Sequence, residues 1–358
     1  MICVVSVVDS VSATSMPINE FVIYRSEHKY PIRQILLVAD SVGAEKVSLP
    51  EDVEVFFTEN KASKIRKAVG EIEKKCKKEG IKTVYHLHHQ RSACKFFLAT
   101  AFMGIKKKTL FTVHSTYRDR DFVYKSTSIF CTLSAKIANC VSESALKDYS
   151  ALIKALKGDR FICVLNGVDT ERIDKVSPFK EERNEKTLIS VGRLIPLKNH
   201  AFLIDVLKKL PDLRLVLIGA EDSAASVEKK AEELGVFDRV SFCGQVAREE
   251  VFSRLKSASV YLSASTVEGM PVSVLEAAYA GNIPVLSDIG PHKEIAKNCD
   301  NVFVLPFSVD IWAEKISEIL NDCRIDERRE MLKKEISEKF SLAKMHEKYF
   351  TVYEKLAK

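Results

Sequence analysis

Two glutamates eight residues apart are the side chains in this sequence best placed to do chemistry. Glu268 lies in the segment STVEGMPVSVLEAAYAGNIPVL (265–286), in a loop after a short apolar run, and Glu276 lies along a helix that Pro271 opens and Gly281 ends. An isolated pair of this kind is more often two solvated surface charges. Glu276, however, is embedded in the apolar helix face VLEAAYA, where an unpaired charge would be costly, so the context favours a binding site.

The strand before this loop and the helix after it indicate which ligand the carboxylates serve. In an open α/β sheet, ligands bind outside the carboxyl ends of the strands, and the free N–H groups of a helix N-terminus favour a phosphate. Gly269 lets the backbone come close to such a ligand. A carboxylate beside a phosphate is useful when it accepts hydrogen bonds from hydroxyl groups, such as those of a sugar and a ribose. A nucleotide sugar offers all of these groups.

A second segment, LISVGRLIPLKNH (188–200), predicts another strand, a turn that contains Gly192, and a helix capped by Asn199. Arg193 and Lys198 follow this strand, so both could reach a pyrophosphate. Cations are needed there because negative charge builds on a leaving diphosphate. Such a string is a weak signal alone, and its pairing with the glutamate segment makes it more specific.

Short β-branched runs alternate with helical patterns in both halves of the chain, which predicts βαβ units and mostly parallel sheets. The runs lie at 2–8, 35–39, 53–57, 83–88, 109–114, 137–141 and 161–165 in the first half, and at 188–191, 213–219, 240–244, 259–264, 283–287 and 301–305 in the second. The predicted fold class is α/β, with two Rossmann-like, doubly wound domains that face a central cleft.

The predicted domain organisation has four parts. Residues 1–170 form an N-terminal acceptor-binding domain, and residues 187–340 form a C-terminal domain that binds the nucleotide sugar. The polar, highly charged segment 171–186 between them is typical of a linker. Residues 341–358 have apolar positions at helical spacing and predict a C-terminal helix that packs back toward the N-terminal domain.

Several histidines lie at or beyond the ends of first-half strands. The run HLHHQ occupies residues 86–90, and His114 lies in FTVHST; a cleft would place them opposite the donor site. A histidine is more often structural than catalytic, and His114 is the best candidate among these. The turn LNGVD at 165–169 predicts a hinge before the linker.

Composition excludes several classes of protein. The chain of 358 residues is 46% apolar and 29% charged, which is typical of a soluble globular protein. Its nine cysteines form no C-x-x-C pair and predict reduced thiols of a cytoplasmic protein, with neither a disulfide framework nor a metal site. The apolar start MICVVSVV lacks a basic leader and predicts a strand, and no run is long enough to span a membrane.

The charge is divided unevenly. Residues 1–170 contain 26 basic and 18 acidic side chains, a net charge of +8, whereas the remainder contains 29 and 31, a net charge of −2. The lysine-rich stretches 74–78 and 106–108 lack the interleaved aromatic residues that stack on bases, so we expect no nucleic acid partner. These stretches are consistent either with solvated helix surface or with a surface that faces anionic membrane.

The string EGMPVSVLEA, with GRLIPLKNH upstream, resembles family 4 of the retaining glycosyltransferases, which have the glycosyltransferase-B fold. The similarity covers nearly all of the C-terminal half and, through HLHHQ, TVHST, VSES and VLNGVD, much of the N-terminal half. The resemblance implies that Glu268 contacts the transferred sugar, Glu276 the ribose, and Arg193 and Lys198 the diphosphate. It further places His114 beside the reacting sugar. The resemblance also gives the donor site the backbone of Gly192, Gly269, Met270 and Val272, and, near the base, the segment with Cys243, Gly244 and Val246.

One segment departs from the family pattern. Many members carry a Gly-Gly loop after the first strand, which approaches the diphosphate, whereas residues 9–21 here contain no glycine. The small residues Ser12, Ala13 and Ser15 could still offer backbone amides in its place.

The expected activity is that of a hexosyltransferase-type, retaining and metal-independent glycosyltransferase without a cofactor. A UDP-sugar is the favoured donor, and the acceptor is a sugar, a lipid-linked group or a small molecule in surface polysaccharide or glycolipid synthesis. The expected location is cytoplasmic, with peripheral association at the membrane face. Two alternatives stay open: a sugar-nucleotide epimerase of the same fold, for which no proton-transfer pair stands out, and a non-catalytic partner subunit, which would often have lost the charged site residues present here.

Overall fold

The chain forms two compact units. The computed structural model describes residues 1–11, 17–40, 48–116, 121–179, 183–220 and 224–358. The first unit comprises Met1–Leu165 together with Met345–Lys358, and the second comprises Asn166–Lys344. The amides proposed for Ser12, Ala13 and Ser15 lie outside the described residues, so that expectation stays a prediction.

Each unit is built on a sheet in which every described strand pair is parallel. The strands of the first sheet are β1 (Ile2–Val8), β2 (Ile32–Val38), β3 (Glu54–Phe57), β4 (Lys82–Leu87), β5 (Thr109–Val113), β6 (Ile137–Cys140) and β7 (Phe161–Cys163). The strands of the second are β8 (Thr187–Val191), β9 (Arg214–Ile218), β10 (Val240–Phe242), β11 (Val260–Ser263), β12 (Ile283–Ser287) and β13 (Phe303–Leu305).

The two sheets share one topology. The first has the order β3-β2-β1-β4-β5-β6-β7 and the second the order β10-β9-β8-β11-β12-β13. Each order reverses once, between β1 and β4 in the first sheet and between β8 and β11 in the second. Ligands of doubly wound sheets bind at such a reversal, outside the carboxyl ends of the strands.

Helices connect the strands and cover the sheets. The helices of the first unit are α1 (Tyr24–Glu27), α2 (Ala62–Lys78), α3 (Gln90–Ala99), α4 (Phe122–Ser134), α5 (Glu143–Asp148) and α6 (Ala151–Lys157), with a π-helix at Pro17–Ile23 and a 3₁₀ turn at Ile105–Lys108. Those that follow are α7 (Thr170–Asp174), α8 (His200–Lys208), α9 (Ala224–Glu233), α10 (Arg248–Ser257), α11 (Val272–Tyr279), α12 (Gly290–Asn298), α13 (Val309–Leu320), α14 (Ile325–Phe340) and α15 (Leu342–Ala357).

The predicted strands and the doubly wound architecture are confirmed. Every predicted run coincides with a strand, including the apolar start of the chain, and the ends differ by three residues or fewer. The reason is that apolar β-branched runs of this length are buried in the middle of a parallel sheet, where both faces are covered. The segment 171–186, interpreted as a linker, belongs to the second unit, and its first residues lie within α7.

The end of α15 is part of the first unit's core. Arg25 of α1 is 3% exposed and donates from Nε to His346 Nδ1 (3.2 Å) and from its terminal nitrogens to Tyr353 Oη (2.6 Å) and Gln34 Oε1 (2.9 Å). Tyr353 Oη also contacts His86 Nδ1 of β4 at 2.8 Å. A buried polar network of this kind fixes one docking position for the helix, because each group would be left unsatisfied elsewhere.

Candidate functional site

The predicted donor residues come from two loops at the reversal of the second sheet. One loop follows β8 and the other follows β11, and the backbone N–H of Thr266 donates to the carbonyl of Leu197 at 2.8 Å, which joins them. Tyr261 Oη donates to the carbonyl of Val191 (3.2 Å) and lies 2.9 Å from Ser273 Oγ, so one buried tyrosine links β8, β11 and the start of α11. The loops are therefore held in one arrangement by groups deep in the fold.

The loop after β8 also lies directly against the end of β9. Gly192 N–H donates to the carbonyl of Ile218 at 2.8 Å, and Leu194 N–H donates to that of Ala220 at 2.9 Å. A Cβ on Gly219 would lie 2.0 Å from the Gly192 carbonyl oxygen, so only glycine allows this approach. The contact fixes the backbone from which the Arg193 and Lys198 segment begins.

Lys198 and Glu268 form an ion pair at this edge. The lysine side chain returns across Gly192, where a Cβ would lie 3.3 Å from Lys198 Cε, and its Nζ contacts Glu268 Oε1. The same carboxylate oxygen accepts a hydrogen bond from Ser265 Oγ at 2.8 Å. The structure thus brings together two of the predicted catalytic residues, while Arg193, in the same loop as the lysine, lies exposed to solvent.

Behind Glu268 lies a hydrogen-bonded group that the sequence analysis missed. Ser265 Oγ contacts Ser263 Oγ at 3.2 Å, and Ser287 Oγ at the end of β12 donates to the Ser265 carbonyl. His292 Nδ1 donates to the Ser287 carbonyl at 2.9 Å, and burial lowers the pKa of this histidine to about 4, with Lys198 lowering it and Glu268 raising it. A neutral, oriented imidazole therefore supports the loop that carries the carboxylate.

The start of α11 is held by a residue of the LNGVD turn. Asn166 Nδ2 donates to the carbonyl of Met270 at 3.1 Å, and both side chains are buried. Gly269 is buried as well, and Pro271 immediately precedes α11, so Val272 and not the proline is its first residue. This corrects the predicted helix start by one position. A phosphate could accept hydrogen bonds from the free amides of the first turn of α11.

Glu276 is buried in α11 and pairs with a cation from α10. It is 4% exposed, and Arg248 Nη2 contacts its Oε1. Burial raises the pKa of the Glu276 carboxyl, whereas Arg248 and Arg172 lower it. Arg248 also lies with its guanidinium carbon 5.3 Å from the ring centroid of Phe252. An unpaired charge on this helix face would be costly, and Arg248 supplies the opposite charge. The sequence analysis did not name this partner.

The segment after β10 completes the same edge of the sheet. Gly219 N–H donates to the Gly244 carbonyl at 2.9 Å, and Gly244 adopts the left-handed conformation (φ 61°). Cys243 and Val246, on either side, are half-buried. The loops after β8, β9 and β10 are consequently in backbone contact, one with the next, and they end beside α10, which carries Arg248.

The predicted cap of the helix after β8 differs in the structure. Pro196–Lys198 forms a 3₁₀ turn, and Asn199 follows it in the left-handed conformation (φ 50°). The Asn199 side chain makes no hydrogen bond with the first turn of α8, so the expected side-chain cap is wrong. The left-handed backbone, which asparagine tolerates better than most residues, accounts for its presence there.

The first unit has its own polar cluster where β1, β4 and β5 end. Asp9 N–H donates to His89 Nδ1 at 3.1 Å, and Asp9 Oδ1 accepts from Ser92 N–H at 3.0 Å. His88 Nδ1 lies 3.4 Å from His114 Nε2. Burial lowers the pKa of His114 to about 3, helped by His89, so this imidazole is neutral at physiological pH. The ring of His86 lies beside that of His88, with centroids 3.9 Å apart, and its nitrogens contact Tyr353 Oη of α15 (2.8 Å) and Thr112 Oγ1 of β5 (2.7 Å).

The structure therefore gathers most predicted donor residues into the second unit. Sequence reasoning missed Arg248, Asn166 and Gly219, whose partners lie far away along the chain, and His292, which contacts Ser287 five residues earlier. A signal existed for two of them, since Asn166 lies in the LNGVD turn and Gly219 ends an apolar strand run. Among the described residues, no three His, Cys, Asp or Glu side chains are grouped so as to hold a metal ion, and the expected metal independence stays a prediction.

Comparison with known proteins identifies the class. Residues 169–339 match the family model described as Glycosyl transferases group 1. The match covers nearly all of the second unit, and the resemblance drawn from the EGMPVSVLEA and GRLIPLKNH strings is confirmed for that unit.

Relatives agree with this class at low identity. An uncharacterized glycosyltransferase of Methanocaldococcus jannaschii is 29% identical over 231 residues, 60% of this chain and 58% of that protein. The gpi3 subunit of the phosphatidylinositol N-acetylglucosaminyltransferase of Schizosaccharomyces pombe is 24% identical over 71% of this chain and 56% of its own length. A GDP-mannose-dependent alpha-(1-6)-phosphatidylinositol monomannoside mannosyltransferase of Mycobacterium tuberculosis is 28% identical over 44% and 46%. The matches span about half of each relative.

Solved structures share the fold over the whole chain. Sucrose-phosphate synthase from Thermosynechococcus elongatus has a TM-score of 0.81 at 16% identity and covers 99% of both chains. HepE from Anabaena, in complex with UDP and glucose, has a TM-score of 0.80 at 15% identity and covers 98% of this chain and 99% of its own. Likeness at this identity shows the fold, which is of the glycosyltransferase-B type.

Proposed function

We propose that this glycosyltransferase-family protein is a retaining hexosyltransferase that uses a nucleoside diphosphate sugar, with a UDP-sugar as the favoured donor. The observation that carries the proposal is the Lys198–Glu268 ion pair beside the N-terminus of α11, at the reversal of the second sheet. A cation for the diphosphate and an acceptor for sugar hydroxyls lie there side by side. The structure of HepE with UDP and glucose supports the choice of donor class by analogy.

The proposed roles of the charged residues follow from what each can offer. Arg193 and Lys198 stabilise the negative charge that develops on the leaving diphosphate. Glu268, freed from part of its pairing with the lysine, accepts hydrogen bonds from hydroxyls of the transferred sugar. The backbone amides of Gly269, Met270 and Val272 donate to phosphate oxygens.

Glu276 is proposed to accept hydrogen bonds from the ribose hydroxyls. Its burial matters because a hydrogen bond to a desolvated carboxylate is stronger than one to a carboxylate in water. Arg248, which pairs with it, keeps the group ionised and ready to accept. Gly244, with Cys243 and Val246 beside it, is proposed to lie near the base, and the contact of His114 with the sugar stays a prediction.

The proposed reaction retains the anomeric configuration. The bond between the anomeric carbon and the diphosphate oxygen breaks, and an acceptor hydroxyl forms a new bond on the same face of the sugar. The departing phosphate oxygen takes the proton of that hydroxyl, and the nucleoside diphosphate leaves. The chain's own contribution is electrostatic, through Lys198 and Arg193, so no cofactor or metal ion is included in the proposal.

The acceptor is proposed to be a sugar or a lipid-linked group in glycolipid or surface polysaccharide synthesis. The names of two relatives include phosphatidylinositol acceptors, and a third relative, from Staphylococcus aureus, is named a capsular polysaccharide biosynthesis glycosyltransferase. The proposal includes peripheral association with an anionic membrane. None of the described helices is both long and apolar enough to cross a bilayer.

One observation favours a second possibility. The name of the Schizosaccharomyces relative describes one subunit of a larger transferase. A competing hypothesis is therefore that this chain is active only together with partner chains. Turnover by the purified chain alone would decide against it. Incubation with the donor alone separates the epimerase alternative, since an epimerase would yield an isomerised nucleotide sugar without any acceptor.

The test begins with a thermal-shift screen of uridine, guanosine and adenosine diphosphate sugars, because stabilisation grows with ligand occupancy. Transfer or hydrolysis of the best donor is then followed by NMR, with retention of the anomeric configuration as the expected result. Glu276→Ala should weaken binding of the free nucleoside diphosphate, whereas Glu268→Ala should mainly slow the transfer of the sugar. An inverted product, or equal nucleotide affinity of Glu276→Ala and wild type, would contradict the proposal.

A further inference from the structure

Exposed apolar side chains are concentrated on three helices of the first unit. Phe102, just after α3, is fully exposed, Phe122 at the start of α4 is 82% exposed, and Leu152 on α6 is 67% exposed. We define the α3–α4–α6 face by all of the large exposed apolar side chains on or beside these helices: Leu98, Phe102, Phe122, Val123, Phe130, Leu133, Leu152 and Leu156. Monomeric proteins seldom leave so many such residues together on one surface without a partner.

The three helices lie side by side over one face of the first sheet. Helix α4 packs against both α3 and α6. Their inward side chains, among them Phe96, Cys131 and Ile153, are buried in the core shared with the strands. The exposed residues are therefore not displaced core residues, because the core positions of the same helices are already filled. Helices that are apolar on two opposite sides need a second apolar partner.

The same elements carry positive charge and no acidic side chain. Helices α3, α4 and α6 and the turn Ile105–Lys108 contain no Asp or Glu, and they contain Arg91, Lys95, Lys106, Lys107, Lys108, Lys125, Lys154 and Lys157. Lys108 is paired with Glu73 of α2, and Lys157 is buried. Asp121, immediately before α4, accepts a hydrogen bond from the Tyr124 amide as the helix cap. The exposed cations, such as Lys95 and Lys107, therefore lie on the same elements as the apolar side chains, and these elements contain no acidic side chain of their own.

Helix α2, next to α3, shows that lysine content alone is not the signal. It carries the stretch 74–78, which has four lysines, but it also contains Glu71 and Glu73, and Lys75 pairs with Glu54 at 2.8 Å. None of its large apolar side chains is exposed. Helix α2 therefore has the composition of a solvated helix, and it serves as an internal control.

We infer that the α3–α4–α6 face binds the surface of an anionic lipid bilayer. The aromatic and leucine side chains would insert between the headgroups, and the surrounding lysines would lie at the lipid phosphates. A second copy of the chain fits less well, because pairing two such faces would bring their cations together. Apolar side chains spread over three helices also suit a deformable partner. The inference rests on the proposed function, for which it names the surface that reaches a membrane-bound acceptor.

The test is co-sedimentation of the full chain with vesicles of phosphatidylcholine alone or mixed with phosphatidylserine. Binding should need the anionic lipid and weaken from low to physiological salt. The variant Phe102→Ser, Phe122→Ser, Leu152→Ser should lose at least tenfold in partitioning. The variant Lys95→Gln, Lys106→Gln, Lys107→Gln should lose roughly a hundredfold, the scale expected for three basic residues near anionic lipid.

A matched control removes the same charge from α2 through Lys74→Gln, Lys77→Gln, Lys78→Gln, all exposed positions. Its binding should stay close to that of wild type, and far-UV circular dichroism should show all variants folded, since the changed side chains are exposed. An equal loss in the α2 control, or no vesicle binding at low salt, would overturn the inference. If the chain bound no vesicles at low salt but bound an acidic protein, the partner of this face would be a protein instead.

Nucleotide binding separates this inference from the proposed function. Thermal stabilisation by the preferred nucleoside diphosphate should be the same in wild type and in both face variants, because the changed residues lie outside the second unit. If the variants change vesicle binding as expected but the chain binds no nucleotide, the proposed function is contradicted and the membrane-binding face is supported. If the chain binds nucleotide but no vesicles, the membrane-binding face is contradicted and the proposed function is supported.

Discussion

The carboxyl edges of the two sheets carry different chemistry. In the second unit the edge is charged, with Lys198 against Glu268 and Arg248 against the buried Glu276. In the first unit the corresponding edge holds imidazoles such as the buried His88 and the half-buried His114, whose pKa values burial lowers, together with the carboxylate of Asp9. A charged edge with paired partners suits a diphosphate and its hydroxyl-bearing groups. An edge of neutral imidazoles beside a carboxylate offers hydrogen bonds without attracting a second anion.

The difference also shows how each unit tolerates polar groups in its interior. Burial raises the pKa of Glu276, and the guanidinium of Arg248 acts in the opposite direction and lowers it. The histidines of the first unit avoid the cost of burial by losing their charge. One topology thus supports either solution, depending on whether a counter-ion lies within reach.

The largest effect should come from breaking the pair at the charged edge. Lys198→Met and Glu268→Gln should each lower turnover by roughly a hundredfold or more, the scale for removing one preorganised electrostatic partner. The matched control is Lys209→Met, which removes a lysine from the exposed pair with Asp310 in the same unit. Steady-state kinetics of all three would decide; a comparable loss in the control would show that net charge matters and not the position.

A smaller effect is expected from the backbone contact beneath that edge. Gly219→Ala would place a methyl group against the Gly192 carbonyl, and overpacking of this kind should lower the free energy of unfolding by about 1–3 kcal/mol. Gly70→Ala is the control, because it lies within α2 with no atom near the added Cβ, and it should stabilise by about 0.5–1 kcal/mol. Urea unfolding followed by the fluorescence of Trp312, the only tryptophan, reports on Gly219→Ala in the second unit, and far-UV circular dichroism, which follows both units, reports on Gly70→Ala in the first. A neutral Gly219→Ala would mean that the loops can separate without cost.

The nucleotide affinity of the Arg248→Met variant tests whether Arg248 keeps the buried carboxylate of Glu276 charged. Without its counter-ion the Glu276 pKa should rise further, so the carboxylate is protonated at a higher pH than in wild type. The affinity for a nucleoside diphosphate should then fall about tenfold per pH unit below that pKa in the variant, while wild type changes little. Calorimetry between pH 6 and 8 measures this, and Glu276→Gln should bind weakly at every pH. A flat profile for Arg248→Met would show that another group holds the charge.

The smallest effect is the order in which the units unfold in acid. Below the unfolded histidine pKa of about 6.5, a histidine whose folded pKa is lowered takes up protons mainly in the unfolded chain, so stability falls with the pH, by up to about 1.4 kcal/mol per pH unit for each group. The first unit contains more histidines whose pKa is lowered by burial than the second. Those of the first unit are His86, His88, His89, His114 and His346, and those of the second are His200 and His292.

The first unit should therefore unfold at a pH higher by roughly half a unit. Far-UV circular dichroism follows both units, whereas Trp312 fluorescence follows the second, so the dichroism should begin to change first. Coincident transitions would indicate that the two units unfold together.

The sequence alone determined the architecture and the edge of the sheet at which most of the proposed donor residues lie. Parallel strands need continuous apolar β-branched runs, and such runs are local features, so all thirteen described strands could be placed in advance. The same holds for Glu268, Gly269 and Lys198, since each follows a strand in a doubly wound sheet, and the carboxyl ends of parallel strands meet at one edge. A helix start could be misplaced by one residue, as at Pro271, because the end of a helix depends on backbone angles that many residues share.

Only the tertiary structure decided which groups pair. Arg248 reaches Glu276 from another helix, Asn166 reaches Met270 across about a hundred residues, and Gly219 is required by the backbone of Gly192. The exposed side of α3, α4 and α6 was hidden in the sequence for the same reason, since the outward and inward apolar residues of a helix look alike until its neighbours are known. Hydrophobic periodicity depends on residues next to one another along the chain, whereas charge pairing, close backbone approach and exposure depend on distances that are fixed only when the chain is folded.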